Sequence, residues 1–195
     1  MLNNTAQAKP SLTSLGWAAL FSLLCLFFLG TTAASAQVKT VTKPVKILLI
    51  QGSNMTYLGK REPEHYGSTT AAQLDSMVLA HARKHGYEVE IFYTNHEGEA
   101  IDKIYEAVEQ GIAGVVMNPG GFTYNGYSLR DCLIAVPVPY VEVHMLPERD
   151  WTGDAITSPA ADLKIVGLGL QSYFVGLEAM VNYAIPTYAA EHPKK

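Results

Sequence analysis

The chain has 195 residues, 48% hydrophobic and 16% charged, a balance that excludes a disordered or fibrous protein and suits one globular domain with a full core. Lys and Arg number 14 against 18 Asp and Glu, so the formal net charge is −4 and nothing steers the protein to nucleic acid.

The first feature in chain order is LGWAALFSLLCLFFL, Leu15 to Leu29, a charge-free apolar block after a short polar leader that contains Lys9. It ends in TTAASAQ, with Ala34 and Ala36 placed as signal peptidase requires, so residues 1–36 are expected to be a cleaved secretory signal rather than an anchor. The exported, periplasmic or secreted product then begins at Gln37 and has 195 less 36, or 159, residues, with no membrane segment left. Cleavage removes Lys9 and no acid, leaving 13 cations against 18 anions and a net charge of −5. Cys132 is the one cysteine that survives, so no intramolecular disulfide supports this domain even in an oxidising compartment.

Residues 37–195 read as a single domain in which short apolar runs alternate with helical patterns. Lys46 to Gln51, Glu88 to Thr94, Gly114 to Asn118, Tyr140 to His144 and Lys164 to Gly169 have strand character, and the first, third and fifth are apolar nearly throughout, as buried parallel strands are. Thr70 and Gln73 form a capping box that opens a helix presenting Leu74, Met77 and Val78 and ending at Gly86. Ile101, Ile104, Tyr105 and Val108 mark a second helix that stops at Gly111. A third spans Ser128 to Val136, before Pro137, and a fourth runs from Ser172 to about Ile185, before Pro186. This β-α alternation implies an α/β fold, a doubly wound five-stranded parallel sheet with helices on both faces and ligands at the carboxyl ends of the strands.

The first connection, Gly52 to Thr69, is far longer than a βα loop needs, which suggests a lid. It carries Asn54, Lys60, Arg61 and Tyr66. A free tyrosine titrates near ~10, and a guanidinium beside it favours the phenolate and brings it toward use as a base. A packed ring between solvated cations explains the same residues. His144 closes the fourth strand, and alternation puts Glu142 on its face, so the carboxylate is placed to orient the imidazole or raise its pKa. A histidine hydrogen-bonded at a sheet edge is the plain alternative. Asn118 precedes the glycine turn Pro119-Gly120-Gly121. His96, Glu97 and Glu99 lack a convincing third metal ligand, and the acids suit a helix N-terminus instead, so no metal is expected.

Taken in order, LGKREPEHYGSTT, NHEGEAIDKIYEA, NPGGFTY, SLRD and VPYVEVH closely resemble the type II 3-dehydroquinate dehydratases, densely from Lys46 to His144 and more loosely from Ser158 to Ala179. The resemblance implies a flavodoxin-like fold, no metal or cofactor, assembly as trimers and dodecamers, and conversion of 3-dehydroquinate to 3-dehydroshikimate through an enolate. By position it makes Tyr66 the base, Arg61 its electrostatic support, Asn54 a partner of the enolate or of a water, and His144 the proton donor to the departing hydroxyl. Asn118 would bind substrate hydroxyls, and Asp131 would reach a neighbouring subunit's site.

Three departures stand out. Gln51-Gly52-Ser53-Asn54 replaces the family's Asn-Gly-Pro-Asn. Tyr124 stands where a substrate-binding histidine is expected. After His144 the family pattern is Leu or Ile, then Ser, then a longer segment with an arginine that grips substrate. Here Met145 and Leu146 occupy the first two places, no hydroxyl is offered, and the chain reaches Ser158 about three residues early, with Arg149 too near His144 to map onto the missing arginine. Each lost hydrogen bond to a charged group costs ~1.5 to 3 kcal/mol. The retained Arg61, Tyr66 and His144 point to an active lyase on 3-dehydroquinate or a related cyclic hydroxy-ketone. The altered positions point to a small-molecule binding protein that kept the fold, and a structural oligomer without ligand is the blandest reading.

Overall fold

Alternation along the first strand decides what lies on each side of the sheet. Ile47 and Leu49 face one layer of core while Leu48 and Ile50 face the other, and all four are fully buried. The computed structural model describes residues 44–147 and 155–193; the expected leader, residues 1–36, and Arg149 lie outside them.

Five parallel strands, β1 (Lys46–Ser53), β2 (Glu88–Tyr93), β3 (Gly114–Gly120), β4 (Tyr140–His144) and β5 (Leu163–Val166), lie in the order β2-β1-β3-β4-β5. This is the flavodoxin-like order. The helices are α1 (Pro63–Tyr66), α2 (Ala71–His85), α3 (Glu97–Glu109), α4 (Tyr127–Ala135), α5 (Gln171–Ala179) and α6 (Ile185–Glu191). On one face α2 and α5 bury Leu74, Val78, Tyr173 and Leu177. On the other, α3 and α4 bury Ile104, Ala107, Leu129 and Leu133.

Local signals explain the element ends. Thr70 accepts from the Gln73 backbone N–H while the Gln73 side chain accepts from the Thr70 N–H, so the expected capping box opens α2, and Gly86 closes it with φ 78°. Gly176 lets α5 press onto β4: a Cβ there would lie 2.4 Å from Val143 Cγ1.

Two expectations need correction. The fifth strand is a four-residue edge, and none of its residues is fully buried, because it has a neighbour on one side alone; Gly167 and Gly169, at φ 85° and 58°, turn the chain away from it. The last helix does not end before Pro186. A π-helical turn, Met180–Ala184, follows α5 and leads into α6, which places Pro186 in its first turn, where a missing N–H costs least.

Candidate active site

The carboxyl ends of β1, β3 and β4 and the long connection after β1 converge on one cleft of about 120 Å³. Asn54, Arg61, Tyr66, Asn118, Tyr124, His144, Met145 and Leu146 all line it. Residues up to 92 positions apart in the chain meet there because the sheet order sets β1 beside β3 and β3 beside β4.

Beside the cleft the ends of β1 and β3 meet main chain to main chain. A Cβ at Gly52 would fall 2.1 Å from the Pro119 carbonyl oxygen, and one at Gly120, at φ 54°, 2.2 Å from the Ser53 carbonyl oxygen. Only glycine permits β1 and β3 to end this close together.

The β4 side is tightly fixed. Glu142 is fully buried and its carboxylate accepts three hydrogen bonds: from His144 Nε2 at 2.6 Å, from the Tyr140 hydroxyl at 2.7 Å and from Ser158 Oγ. Burial pushes the Glu142 carboxyl up, but the hydrogen bond and charge of His144, with the Ser158 hydroxyl, outweigh it and hold the group below its ordinary value. Burial and the Glu142 charge push the Tyr140 phenol well above the ordinary range, so it remains a donor. As alternation requires, Glu142 and His144 share a face. Behind them, Ser172 Oγ donates to the His144 carbonyl at 2.7 Å, tying α5 to the end of β4.

Asn118 is held in the same way. Its Nδ2 donates to the Tyr173 hydroxyl at 2.8 Å, which donates to Gln51 Oε1 at 2.8 Å, while its Oδ1 accepts from the Gly120 N–H at 3.2 Å. The remaining Nδ2 hydrogen is available to a ligand. Gln51, Tyr173, Ser172 and Ser158 were not among the residues expected from sequence. Tyr173 lies 55 positions from Asn118, and only the packing of α5 against the sheet reveals the pair.

The loop side is looser. Asn54 has φ 74° and its N–H donates to Asn95 Oδ1 at 2.8 Å, so the turn after β2 supports the turn after β1. The Arg61 guanidinium lies over the Tyr66 ring, 4.7 Å from its centroid, and also pairs with Glu62 at 3.0 Å. Glu62 itself adopts φ 36°, a strained conformation for a residue with a side chain. The expectation that Arg61 makes Tyr66 acidic is not met here. Burial raises the Tyr66 phenol above its ordinary value; Arg61 pulls it down, Glu62 and Tyr124 push it up, and the net direction is upward. The physical reason is burial of the ring first, with an Arg61 cation that stacks on the ring face and is shared with the Glu62 carboxylate failing to offset it.

Asp131 is not in the cleft. It sits on α4, 75% exposed, with Arg130 at 3.6 Å. Glu97 and Glu99 are used locally, Glu97 accepting from the Leu129 N–H at 2.8 Å and Glu99 from Thr94 Oγ1 at 2.5 Å. Cys132 is buried, and burial pushes its thiol up.

Known proteins resemble this chain over the same residues that build the sheet and the cleft. Residues 45–181 match the family model for dehydroquinase class II. A 3-dehydroquinate dehydratase of Lachnospira eligens is 39% identical over 145 residues, covering 72% of this chain and 99% of its own length. A protein named catabolic 3-dehydroquinase 1 of Aspergillus terreus is 40% identical over 144 residues, covering 72% and 94%. The crystal structure of a type II dehydroquinase from Butyrivibrio crossotus superposes with a TM-score of 0.70 at 34% identity, covering 72% of this chain and all of that one. The family model, the sequence identity and the superposed fold agree, and the chain belongs to the class II dehydroquinase family.

Proposed function

We propose that the protein is a hydro-lyase that converts 3-dehydroquinate to 3-dehydroshikimate. The observation that carries this reading is the meeting of Arg61, Tyr66, Asn54, Asn118 and His144 in one cleft at the carboxyl end of the sheet. Tyr66, as phenolate, takes the proton beside the ketone and leaves an enolate, whose charge faces Arg61 and Asn54. His144, oriented by Glu142, then delivers a proton to the departing hydroxyl, water leaves, and the electron pair forms the carbon–carbon double bond conjugated to the carbonyl. Asn118, Tyr124, Met145 and Leu146 form the walls against the substrate.

In the arrangement described above, the Tyr66 phenol is raised, so the base becomes competent when Arg61 exchanges Glu62 for the phenolate oxygen and substrate completes the closure of the 54–70 connection. Export through the leader and assembly into trimers or a dodecamer belong to the same reading. Asp131, exposed on α4, would meet a neighbouring subunit's site.

The test is ultraviolet absorbance with purified protein and 3-dehydroquinate, watching the conjugated enone form. The wild type should show a rise that Tyr66→Phe reduces by about 10²–10⁴-fold. A flat trace at high protein and substrate concentration, in a protein shown by calorimetry to bind the compound, would instead establish the binding-protein reading.

A further inference from the structure

Away from the cleft, α2 and α5 bring together a group that the dehydration chemistry does not use. His81 and His85 are four residues apart on α2 and therefore share one face, and Glu178 projects toward them from α5. We propose that His81, His85 and Glu178 form a binding site for one divalent transition-metal ion, which clips α2 to α5.

The donor atoms already lie together. Each residue offers one, and the three are within 4.8 Å of one another. His81 Nε2 is 3.2 Å and His85 Nε2 3.9 Å from Glu178 Oε1. An ion bound at ~2.0–2.2 Å to three tetrahedrally disposed ligands sets its donors about 3.3–3.6 Å apart, so side-chain adjustment of less than about 1.5 Å suffices.

The ring orientations suit this role. His85 Nδ1 lies 3.0 Å from the His81 carbonyl oxygen; as the donor of that bond it leaves the lone pair on Nε2, directed at Glu178. The His81 ring is held by Phe174, 5.1 Å away, and by the edge of Tyr87, 6.3 Å away. His81 Nε2 is buried, and although it is near the Glu178 carboxylate it is not aligned for a hydrogen bond and has no hydrogen-bond partner. A buried ring nitrogen that faces a carboxylate without an aligned hydrogen bond is placed to gain from a metal ion set between the two.

Access is open on the other side, since 37% of the His85 side chain and 48% of the Glu178 side chain are exposed, leaving room for waters to complete the coordination. Two imidazoles with one carboxylate favour Zn²⁺, Co²⁺, Ni²⁺ or Cu²⁺ over Mg²⁺ or Ca²⁺. The spacing HARKH in residues 81–85 is a sequence signal for half of this site; the third ligand, 93 positions beyond His85, is visible only in the fold.

The test is a titration of EDTA-treated, dialysed protein with Zn²⁺ by calorimetry, with Co²⁺ visible absorption as the coordination readout and the thermal midpoint as the third measurement. Wild type should bind one Zn²⁺ per chain, show a Co²⁺ d–d band, and gain about 5–10 °C in midpoint at 100 times the dissociation constant. His85→Ala and Glu178→Gln should each weaken binding at least about tenfold, abolish the band and the midpoint gain, and retain dehydration of 3-dehydroquinate. His144→Ala, in the cleft, should leave Zn²⁺ affinity unchanged. The proposal is overturned if wild type binds no Zn²⁺ at about 1 mM, if both α2 and α5 variants bind as wild type does, or if His144→Ala removes the binding. None of these results bears on the dehydration assay.

Discussion

The two walls of the cleft are built on different principles. On the β4 wall, His144 stands on a buried strand, its carboxylate partner takes three hydrogen bonds, and α5 holds the strand's last carbonyl. On the facing wall, Tyr66 ends a four-residue helix in a long connection, and its cation is shared with an adjacent glutamate. The contrast shows how firmly each group is held. His144 is oriented by contacts that form with the core, whereas Tyr66 depends on which partner Arg61 chooses.

Breaking the rigid wall should have the largest effect. Glu142→Gln keeps the shape but loses the charge and one of the accepting oxygens, so kcat should fall by about 10³-fold and stability by roughly 2–3 kcal/mol, measured by turnover and by urea unfolding. Because the folded Glu142 carboxyl lies below its unfolded value, its contribution is fully present above about pH 4.3 and is lost as pH falls through the folded value. The variant should therefore show a shallower loss of stability below about pH 4.3 than wild type, and an unchanged slope would refute Glu142 as the source.

On the loop wall, Arg61→Ala should lower kcat/KM about 10²-fold at neutral pH and move the ascending limb of its pH profile upward, since Arg61 is what pulls the phenol down. Glu62→Gln should do the reverse. It removes a charge that raises Tyr66 and frees Arg61, so the ascending limb should move to lower pH with a severalfold gain in kcat/KM near neutrality. Identical limbs in both variants would mean that this pair does not set the base. The smallest effect belongs to Tyr173→Phe, which removes the hydroxyl between Asn118 and Gln51. A loss of about 1 kcal/mol in stability with a rise in KM larger than the fall in kcat would identify it as a positioning residue for Asn118.

Much of this architecture is legible in the chain because its signals are local. The Thr70–Gln73 box, Gly86 and the apolar strand runs are read within a few residues, and the sheet follows from their alternation. The residues picked out by the linked motifs, Arg61, Tyr66, Asn118 and His144, line one cleft. What sequence could not show was who competes for a charge. Arg61 next to Glu62 looks like any solvated pair, yet burial of the Tyr66 ring raises its phenol first, and Arg61, shared with Glu62, does not reverse that direction. The same holds for Tyr173 and Ser172, whose partners are set by helix-on-sheet contact, and for Pro186, which reads as a stop but is absorbed into a first turn.

The glycine pinch between β1 and β3 leaves the stretch of cleft wall at Gly120 and Gly121 without side chains. Substitution at Gly52 or Gly120 meets a carbonyl before it can meet a ligand. Divergence in what the protein accepts is thereby channelled into neighbouring positions that carry side chains, such as Tyr124 and Leu146.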